Sequence, residues 1–294
     1  MEEIKLEYSD YPTLYKTADK LSLKHQRRYY RYLLGYLSLL MVGALTSFFS
    51  TTPCLKTINI IVFVCSLFIY ILSKVLDPQE LWYNGRAVAE SVKTRTWRWI
   101  MKAHPYNKIR YSASNDFIED LQTILNENKS LFNYYCEDDR MECESMFTIS
   151  DKMRQIRELS TKDKVAFYNE NRVKEQQRWY KAKAKNKHQS YNIFFGITVG
   201  LYTIIIALMI IDISMTINYP IEVLAVAASS TISWIEAKKY NELSKAYNLA
   251  SQDIALIREL DVEGQIGEDE LSNYIIDSEN AFSREHTQWF ARKR

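Results

Sequence analysis

Two long apolar runs separated by a short turn constrain the fold of this chain more than any other feature. No Asp, Glu, Lys, Arg or His occurs between Arg31 and Lys56 or between Lys56 and Lys74. An α-helix needs about 20 apolar residues to cross a bilayer. The runs are nearly continuous rather than periodic, which argues against two helices buried in a water-soluble core. We therefore predict a transmembrane hairpin with spans at about residues 32–50 and 57–74.

A second apolar pair follows in the C-terminal half of the chain. It predicts spans at about residues 190–211 and 217–235. The sequence QRRYYR at residues 26–31 and the similar sequence QQRWYK at residues 176–181 precede the two hairpins at corresponding places. The shared order of elements indicates an internal duplication.

Composition favours helix throughout the chain. The 294 residues include only 7 glycines and 5 prolines, and a mean hydropathy of -0.29 places the apolar runs within a mostly polar protein. We predict an all-α integral membrane protein with two transmembrane hairpins, four spans in all, and long helices that extend into a helical cytoplasmic part. The predicted division is a first two-transmembrane domain at residues 1–110, a helix and acidic connection at 111–150, and a second two-transmembrane domain at 151–294.

The charges that flank the spans predict the orientation of the chain, because Lys and Arg are enriched in cytoplasmic loops. The hairpin turns hold Lys56, Asp212 and Glu222. The cations on the side of the termini and the middle region are Lys24, Arg27, Arg28, Arg31, Lys74, Lys181, Lys183, Lys185, Lys187, Lys238 and Lys239. We predict that both termini are cytoplasmic and that the lipid bilayer is a partner. A net charge of +2 gives no bulk attraction to nucleic acid, so no nucleic-acid partner is expected.

The sequence carries no catalytic signature. It contains no P-loop and no GxGxxG, GxSxG or HExxH pattern. The four histidines are scattered, and Cys136 and Cys143 have neither CxxC spacing nor a nearby histidine, which disfavours zinc. We expect no enzymatic activity, no cofactor and no metal site.

Small and hydroxylated residues are concentrated in the fourth predicted span. Such residues allow close helix packing in lipid, or they line a water-filled path. Packing is the more common use, and both interpretations stay open here. The candidate residues are Ala225, Ala228, Ser229, Ser230, Thr231 and Ser233.

Two further segments are candidates for coupling the cytoplasmic part to the membrane. After the first hairpin, Gly85 and Ala89 are four residues apart, which allows close helix approach. Arg86 and Glu90 have the spacing of a surface ion pair, and a packing helix is favoured over a catalytic Arg/Glu pair. The C-terminal segment groups Glu279 with Arg284, Glu285 and His286. A Glu/His acid–base pair is conceivable there, but ordinary helix-surface charges are favoured for Arg284 and Glu285. The candidate coupling residues are Gly85, Arg86, Glu90, Arg284, Glu285 and His286.

Four groups of residues, spread over nearly the whole chain, carry a resemblance to a known family. Their most specific members are Tyr11-Pro12, Gly85-Arg86-Ala87 with Ala89-Glu90-Ser91, Tyr168-x3-Arg172-Val173, and Glu279-Asn280-Ala281-x-Ser283-Arg284-Glu285-His286. In these motifs the chain resembles the bacterial SLATT proteins, the SMODS- and SLOG-associating two-transmembrane effectors, in a tandem form.

This resemblance implies a function. The family is proposed to supply membrane effectors of bacterial conflict systems, in which a nucleotide second messenger or another infection signal triggers pore formation and cell death. The protein would then be an antiphage effector of the bacterial inner membrane that forms a homo-oligomer and responds to a nucleotide or a cytoplasmic sensor protein. The alternative is a membrane scaffold or signalling module that tethers a cytoplasmic partner and conducts nothing.

Overall fold

A computed structural model describes residues 5–49, 52–107, 110–132, 146–215, 219–259 and 267–291. The regular secondary structure in these ranges is helical, which confirms the predicted all-α class. The α-helices are α1 (Thr13–Phe48), α2 (Pro53–Val75), α3 (Pro78–Ile100), α4 (Arg110–Glu127), α5 (Asp151–Arg157), α6 (Thr161–Tyr168), α7 (Lys174–Met215), α8 (Ile221–Lys238), α9 (Tyr240–Glu259) and α10 (Glu268–Ala291). A π-helical turn, Asn169–Val173, joins α6 to α7. The predicted acidic connection, rich in carboxylates at 137–144, lies outside the described residues.

Side-chain caps define where several helices begin. Ser150 and Ser160 precede α5 and α6 in extended backbone, and each hydroxyl accepts a hydrogen bond from the backbone N–H three residues later, at 3.2 Å. Such a cap satisfies one of the N–H groups that the first helical turn leaves without an intrahelical partner. Thr52 caps α2 in the same way, and Pro53 occupies the first helical position, where its missing N–H costs nothing.

The chain divides into two compact units, and each takes residues from both halves of the sequence. The polar unit consists of Met1–His25, Gln79–Ala182 and Ala246–Arg294. The apolar unit consists of Gln26–Pro78 and Lys183–Lys245 and contains all the predicted spans. The predicted domains divide the chain into its two duplicated halves. The two compact units divide it differently, because each combines parts of both halves.

In the apolar unit, α2 and the apolar part of α7 leave most of their apolar side chains uncovered. Ile60 and Phe68 of α2 are both 64% exposed, and Ile193 and Ile210 of α7 are 62% and 63% exposed. Soluble proteins rarely expose contiguous apolar surfaces of such extent. Helices that are apolar on nearly all sides and uncovered within the chain are typical of segments that face lipid.

Three helical stretches of the described chain are long and apolar enough to cross a membrane, by length and composition: Thr13–Phe48, Pro53–Ile100 and Thr161–Ile211. Their apolar segments are only 11%, 6% and 11% buried. The first stretch covers the first predicted span as far as Phe48, and the other two contain the second and third predicted spans. The fourth predicted span falls in α8, which is 18 residues long and carries Glu222 near its start and Glu236 and Lys238 near its end. These charges shorten its uncharged stretch below the usual length of a span. The fourth span therefore stays a prediction.

Aromatic side chains of α3, of α4 and of the segment between them pack together in the core of the polar unit. Trp97, Trp99 and Tyr106 are buried, and the ring of Phe117 lies 5.6 Å from that of Trp99 and 5.7 Å from that of Tyr106. Aromatic pairs at these centroid distances contribute packing beyond their buried area. These contacts pack α3 against the core, and α3 in turn positions the charged residues described below.

Arg157 of α5 binds backbone carbonyl groups of the segment that connects α3 to α4. Its guanidinium donates to the carbonyl oxygens of Trp99 and Tyr106, the latter at 2.8 Å. The guanidinium carbon also lies 4.7 Å from the centroid of the Trp99 ring, and the side chain is buried. Because buried carbonyl groups need donors, Arg157 allows this irregular segment to pass through the core.

Candidate functional site

A buried ion pair joins Arg172, in the π-helical turn, to Glu279 of α10. The guanidinium Nε donates to Oε1 of the carboxylate at 2.8 Å, and Nη2 donates to Oε2 at 2.7 Å. The two side chains are 2% and 0% exposed. A bidentate ion pair of this kind fixes the orientation of both side chains.

Two hydroxyl groups add to the hydrogen bonding of the Glu279 carboxylate. Tyr168 of α6 donates to Oε1 at 3.0 Å, and Thr94 of α3 donates to Oε2 at 3.1 Å. The carboxylate is therefore held by α3, α6 and the π-helical turn at once. We call this set, Thr94, Tyr168, Arg172 and Glu279, the buried ion-pair cluster.

Aromatic rings surround the guanidinium of the buried ion-pair cluster. The Arg172 guanidinium carbon lies 5.5 Å from the ring centroid of Trp97 and 5.0 Å from that of Phe282. Cations are attracted to the faces of aromatic rings, and more strongly where water is excluded. The Trp97 indole N–H donates to the Tyr11 hydroxyl at 2.9 Å, which links the cluster to the N-terminal segment.

The cluster shifts the pKa of its titratable groups in ways that follow from burial and charge. Burial alone lowers the pKa of Arg172, but the charge of Glu279 and its hydrogen bonds outweigh burial and hold that pKa above its ordinary value. Burial, and next the charge of Glu279, raises the pKa of Tyr168, so this phenol remains a donor. Burial, and next the charge of Arg172, lowers the pKa of the neighbouring Lys93. These shifts keep the guanidinium charged and the phenol protonated, which suits a structural link between α10 and the rest of the polar unit.

A second charged group lies on the same face of α3, about two turns before Thr94. Arg86 pairs with Glu90 at 2.6 Å, as predicted from their spacing, and also lies 3.5 Å from Asp19 of α1. Residues 86, 90, 94 and 97 recur at helical spacing and therefore share one face. Helix α3 thus contacts α1 through the Arg86–Asp19 pair and α10 through the hydrogen bond from Thr94 to Glu279.

Gly85 lies against the backbone of α1. A Cβ atom at this position would lie 3.1 Å from the Ser22 nitrogen and 3.2 Å from the Ala18 oxygen. The close helix approach predicted from Gly85 and Ala89 is therefore present, and Ala89 is fully buried. Since the neighbouring atoms belong to the backbone, they cannot rotate away as a side chain would.

Gly85→Leu is expected to lower the free energy of unfolding by about 2 kcal/mol, because overpacking a filled contact forces α1 and α3 apart. Urea unfolding of the full chain in detergent, followed by tryptophan fluorescence, measures this change. Ser91→Leu introduces the same side chain at an exposed position of α3 and should change stability by less than about 0.5 kcal/mol. Equal losses in the two variants would contradict a tight contact at Gly85.

The candidate residues of α8 fall into different surroundings in the apolar unit. Ala228 is fully buried, and the Thr231 hydroxyl shares a 2.8 Å hydrogen bond with the Thr198 hydroxyl of α7. Helix packing accounts for these two positions, and Ser230 is half-buried. The exposed members, which are spaced four residues apart along one face, are Ala225, Ser229 and Ser233.

Sequence reasoning did not find the buried ion-pair cluster. Arg172 was recognised only as a family motif residue, and Glu279 only as a motif residue and a member of the C-terminal polar group. The two lie 107 residues apart, and no periodicity pairs them. The one local signal was the spacing of Tyr168 and Arg172, which places a phenol and a cation on one helix face. Arg284, Glu285 and His286 lie in α10, but their side chains fall outside the described residues. Among the described residues no group of three or more His, Cys, Asp or Glu side chains could hold a metal ion.

The described residues form an all-α fold with three uncovered apolar helices and a polar unit, which indicates a helical membrane protein. The family model for SMODS and SLOG-associating 2TM effector domain 3 matches residues 12–165, and the model for domain 1 matches residues 168–289. The chain therefore belongs to the SLATT family in tandem form, which confirms the resemblance found in its motifs. No curated protein and no solved structure matches it.

The buried ion-pair cluster joins the two SLATT domains. Thr94 belongs to the first match, whereas Tyr168, Arg172 and Glu279 belong to the second. The boundary between the matches falls within α6, where the helix continues without a linker. The two domains thus share one polar core.

Proposed function

We propose that this protein is a membrane effector of a bacterial conflict system, which disrupts the inner membrane when its polar unit receives a signal in the cytoplasm. The observation that carries the proposal is the set of uncovered apolar helices in a chain built from two effector domains. The proposal includes four spans and cytoplasmic termini. In it α8 crosses as the fourth span, because Thr231 pairs with α7 and Lys238 can extend toward the headgroups.

A homo-oligomer is part of this proposal, because a conducting path needs polar groups on several sides. The exposed face of α8 that carries Ala225, Ser229 and Ser233 would line it. The trigger would be a nucleotide second messenger or a cytoplasmic sensor protein, and the association with SMODS and SLOG domains in the family description supports such a source. The signal would reach the spans through α3, where Gly85, Arg86 and Glu90 lie.

The test is to induce the protein in bacteria, alone and together with its genomic neighbours, and to record growth and membrane potential with a voltage-sensitive dye. We expect depolarisation followed by growth arrest. The Ser229→Leu/Ser233→Leu variant should insert but lose depolarisation, because a wetted path would become apolar. Ile204→Leu, at an exposed position of α7, is the matched control and should behave like the unchanged protein.

A non-conducting scaffold is the second candidate, since the polar unit is a folded helical body suited to holding a partner. A scaffold would leave the membrane potential unchanged under every condition, and the serine variant would be as active as the control. Absence of depolarisation and toxicity even with the neighbouring genes present would overturn the pore proposal.

A further inference from the structure

An open cavity of about 530 Å³ lies in the apolar unit between α1, α2 and α8. The volume falls within the range of roughly 300–1,000 Å³ that small-molecule sites occupy. Its walls are apolar apart from one hydroxyl and one carboxylate, and such sites commonly combine apolar walls with a few polar groups. The lining residues are Leu40, Ala44, Ser47 and Phe48 of α1, Phe63 of α2, and Glu222 and Val226 of α8.

The polar groups of the cavity wall lie at one end of the helices that form it. Ser47 is in the last turn of α1, and Glu222 is in the first turn of α8. Leu40 precedes the end of α1 by eight residues, which is about 12 Å along a helix. Phe63 lies near the middle of α2. The cavity therefore has a polar end beside the helix termini and an apolar part within the predicted spans.

The carboxylate of Glu222 is available to a ligand. It is exposed on the cavity wall, and no Lys, Arg or His side chain of the described residues forms an ion pair with it. Glu222 lies five residues inside the span predicted at 217–235. Ionisable groups inside spans are costly and commonly pair with an opposite charge or serve a function. A cation is therefore the ligand group that this end of the cavity suits.

The hydroxyl of Ser47 supplies a second polar group. Its Oγ accepts a hydrogen bond from the Asn59 amide at 2.6 Å, and the Asn59 side-chain oxygen accepts one from the Thr46 hydroxyl at 3.1 Å. Asn59 thus uses Ser47 as an acceptor, which leaves the hydroxyl hydrogen of Ser47 able to donate. The cavity combines a carboxylate for a cation, a donor for an oxygen atom and an apolar wall for a hydrocarbon chain.

We infer that this cavity binds phosphatidylethanolamine, with the ammonium on Glu222, a headgroup oxygen on Ser47 and the start of an acyl chain on the apolar wall. A primary ammonium donates charge-assisted hydrogen bonds to a carboxylate, whereas the trimethylated ammonium of phosphatidylcholine has no N–H to donate. The helices that form the cavity expose apolar side chains, so a lipid reaches it from the bilayer. The inference rests on the proposed membrane insertion of the apolar unit, but it does not depend on conduction.

Native mass spectrometry of the full chain in detergent tests the inference, with phosphatidylethanolamine, phosphatidylcholine and phosphatidylglycerol of identical acyl chains at equal concentration. Phosphatidylethanolamine should bind about tenfold more tightly than either of the others, which is the effect of one hydrogen bond to a charged group. Equal binding, or a preference for another headgroup, overturns the inference. Phosphoethanolamine has the same ammonium without acyl chains and should not displace the lipid at equal concentration. Displacement would overturn a lipid ligand and assign the site to a soluble amine.

Glu222→Gln should abolish the preference for phosphatidylethanolamine while keeping the shape of the side chain. Glu236→Gln removes the same charge from an exposed position of α8 outside the cavity and should keep the preference. Ala44→Phe should fill the apolar part and weaken the binding of phosphatidylethanolamine, whereas Leu34→Phe, at an exposed position of α1, should not. The inference is overturned if Glu222→Gln keeps the preference or if Glu236→Gln loses it equally.

Membrane insertion is measured separately, by alkaline carbonate extraction of bacterial membranes that contain the unchanged protein. An inserted chain stays with the membranes. A chain that alkali releases refutes membrane insertion and the proposed function with it. An inserted chain without a preference for phosphatidylethanolamine refutes only the lipid site.

Discussion

Glu279→Gln is expected to lower the free energy of unfolding by about 3 kcal/mol, because breaking one side of a buried ion pair leaves the other charge uncompensated. The substitution keeps the shape of the side chain but removes the charge that faces Arg172 at 2.7 Å. Thr94 and Tyr168 would also lose a charged acceptor for their hydroxyls. Urea unfolding in detergent measures the loss, and Trp97 reports directly because it lies beside the guanidinium.

Glu170→Gln is the matched control for this prediction. Glu170 pairs with Lys174 at 2.5 Å and with Arg178 at 3.3 Å, but it is exposed on the surface of the same helical stretch. Because water screens exposed ion pairs, little stability should be lost. Adding Arg172→Met to Glu279→Gln should cost less than the sum of the single changes, because each breaks the same pair. Additive losses would show that Arg172 and Glu279 act independently.

Arg157→Ala is expected to destabilise the polar unit by about 3 kcal/mol, because it leaves buried carbonyl groups without donors and removes a cation from an aromatic ring. The carbonyl oxygens belong to Trp99 and Tyr106, at the two ends of the segment between α3 and α4 that Arg157 binds. Arg157→Lys should also lose stability, since an ammonium group cannot reproduce the fork of the guanidinium. The same urea unfolding experiment measures both changes.

Arg154→Ala provides the comparison for Arg157. Arg154 lies one turn earlier in α5 and is only half-buried, so its loss should cost less than about 1 kcal/mol. If Arg154→Ala were as damaging as Arg157→Ala, the effect would belong to the helical propensity or charge of α5. The hydrogen bonds to the connection would then not be its cause.

The apolar helices and the helix contact at Gly85 could be predicted because their signals are local. A continuous apolar run indicates a span by itself, and small residues four apart indicate close helix approach. The partner of Arg172 could not be predicted, because an ion pair across 107 residues leaves no trace in spacing or composition. The same limit applies to Asp19, which contacts Arg86 across 67 residues. The division into two units could not be predicted from the sequence either. The duplication suggests one domain for each half of the sequence, whereas each unit contains residues from both halves.

The order of residues in the buried ion-pair cluster has a consequence for biosynthesis. Glu279 follows Thr94, Tyr168 and Arg172 in the chain, and all the predicted spans precede it as well. The apolar segments therefore leave the ribosome before the carboxylate that compensates Arg172 has been made. We expect the spans to enter the membrane first and the polar unit to close last, when α10 arrives. A chain whose synthesis stopped before Glu279 would contain all the apolar helices but would lack the buried ion pair that joins the two effector domains.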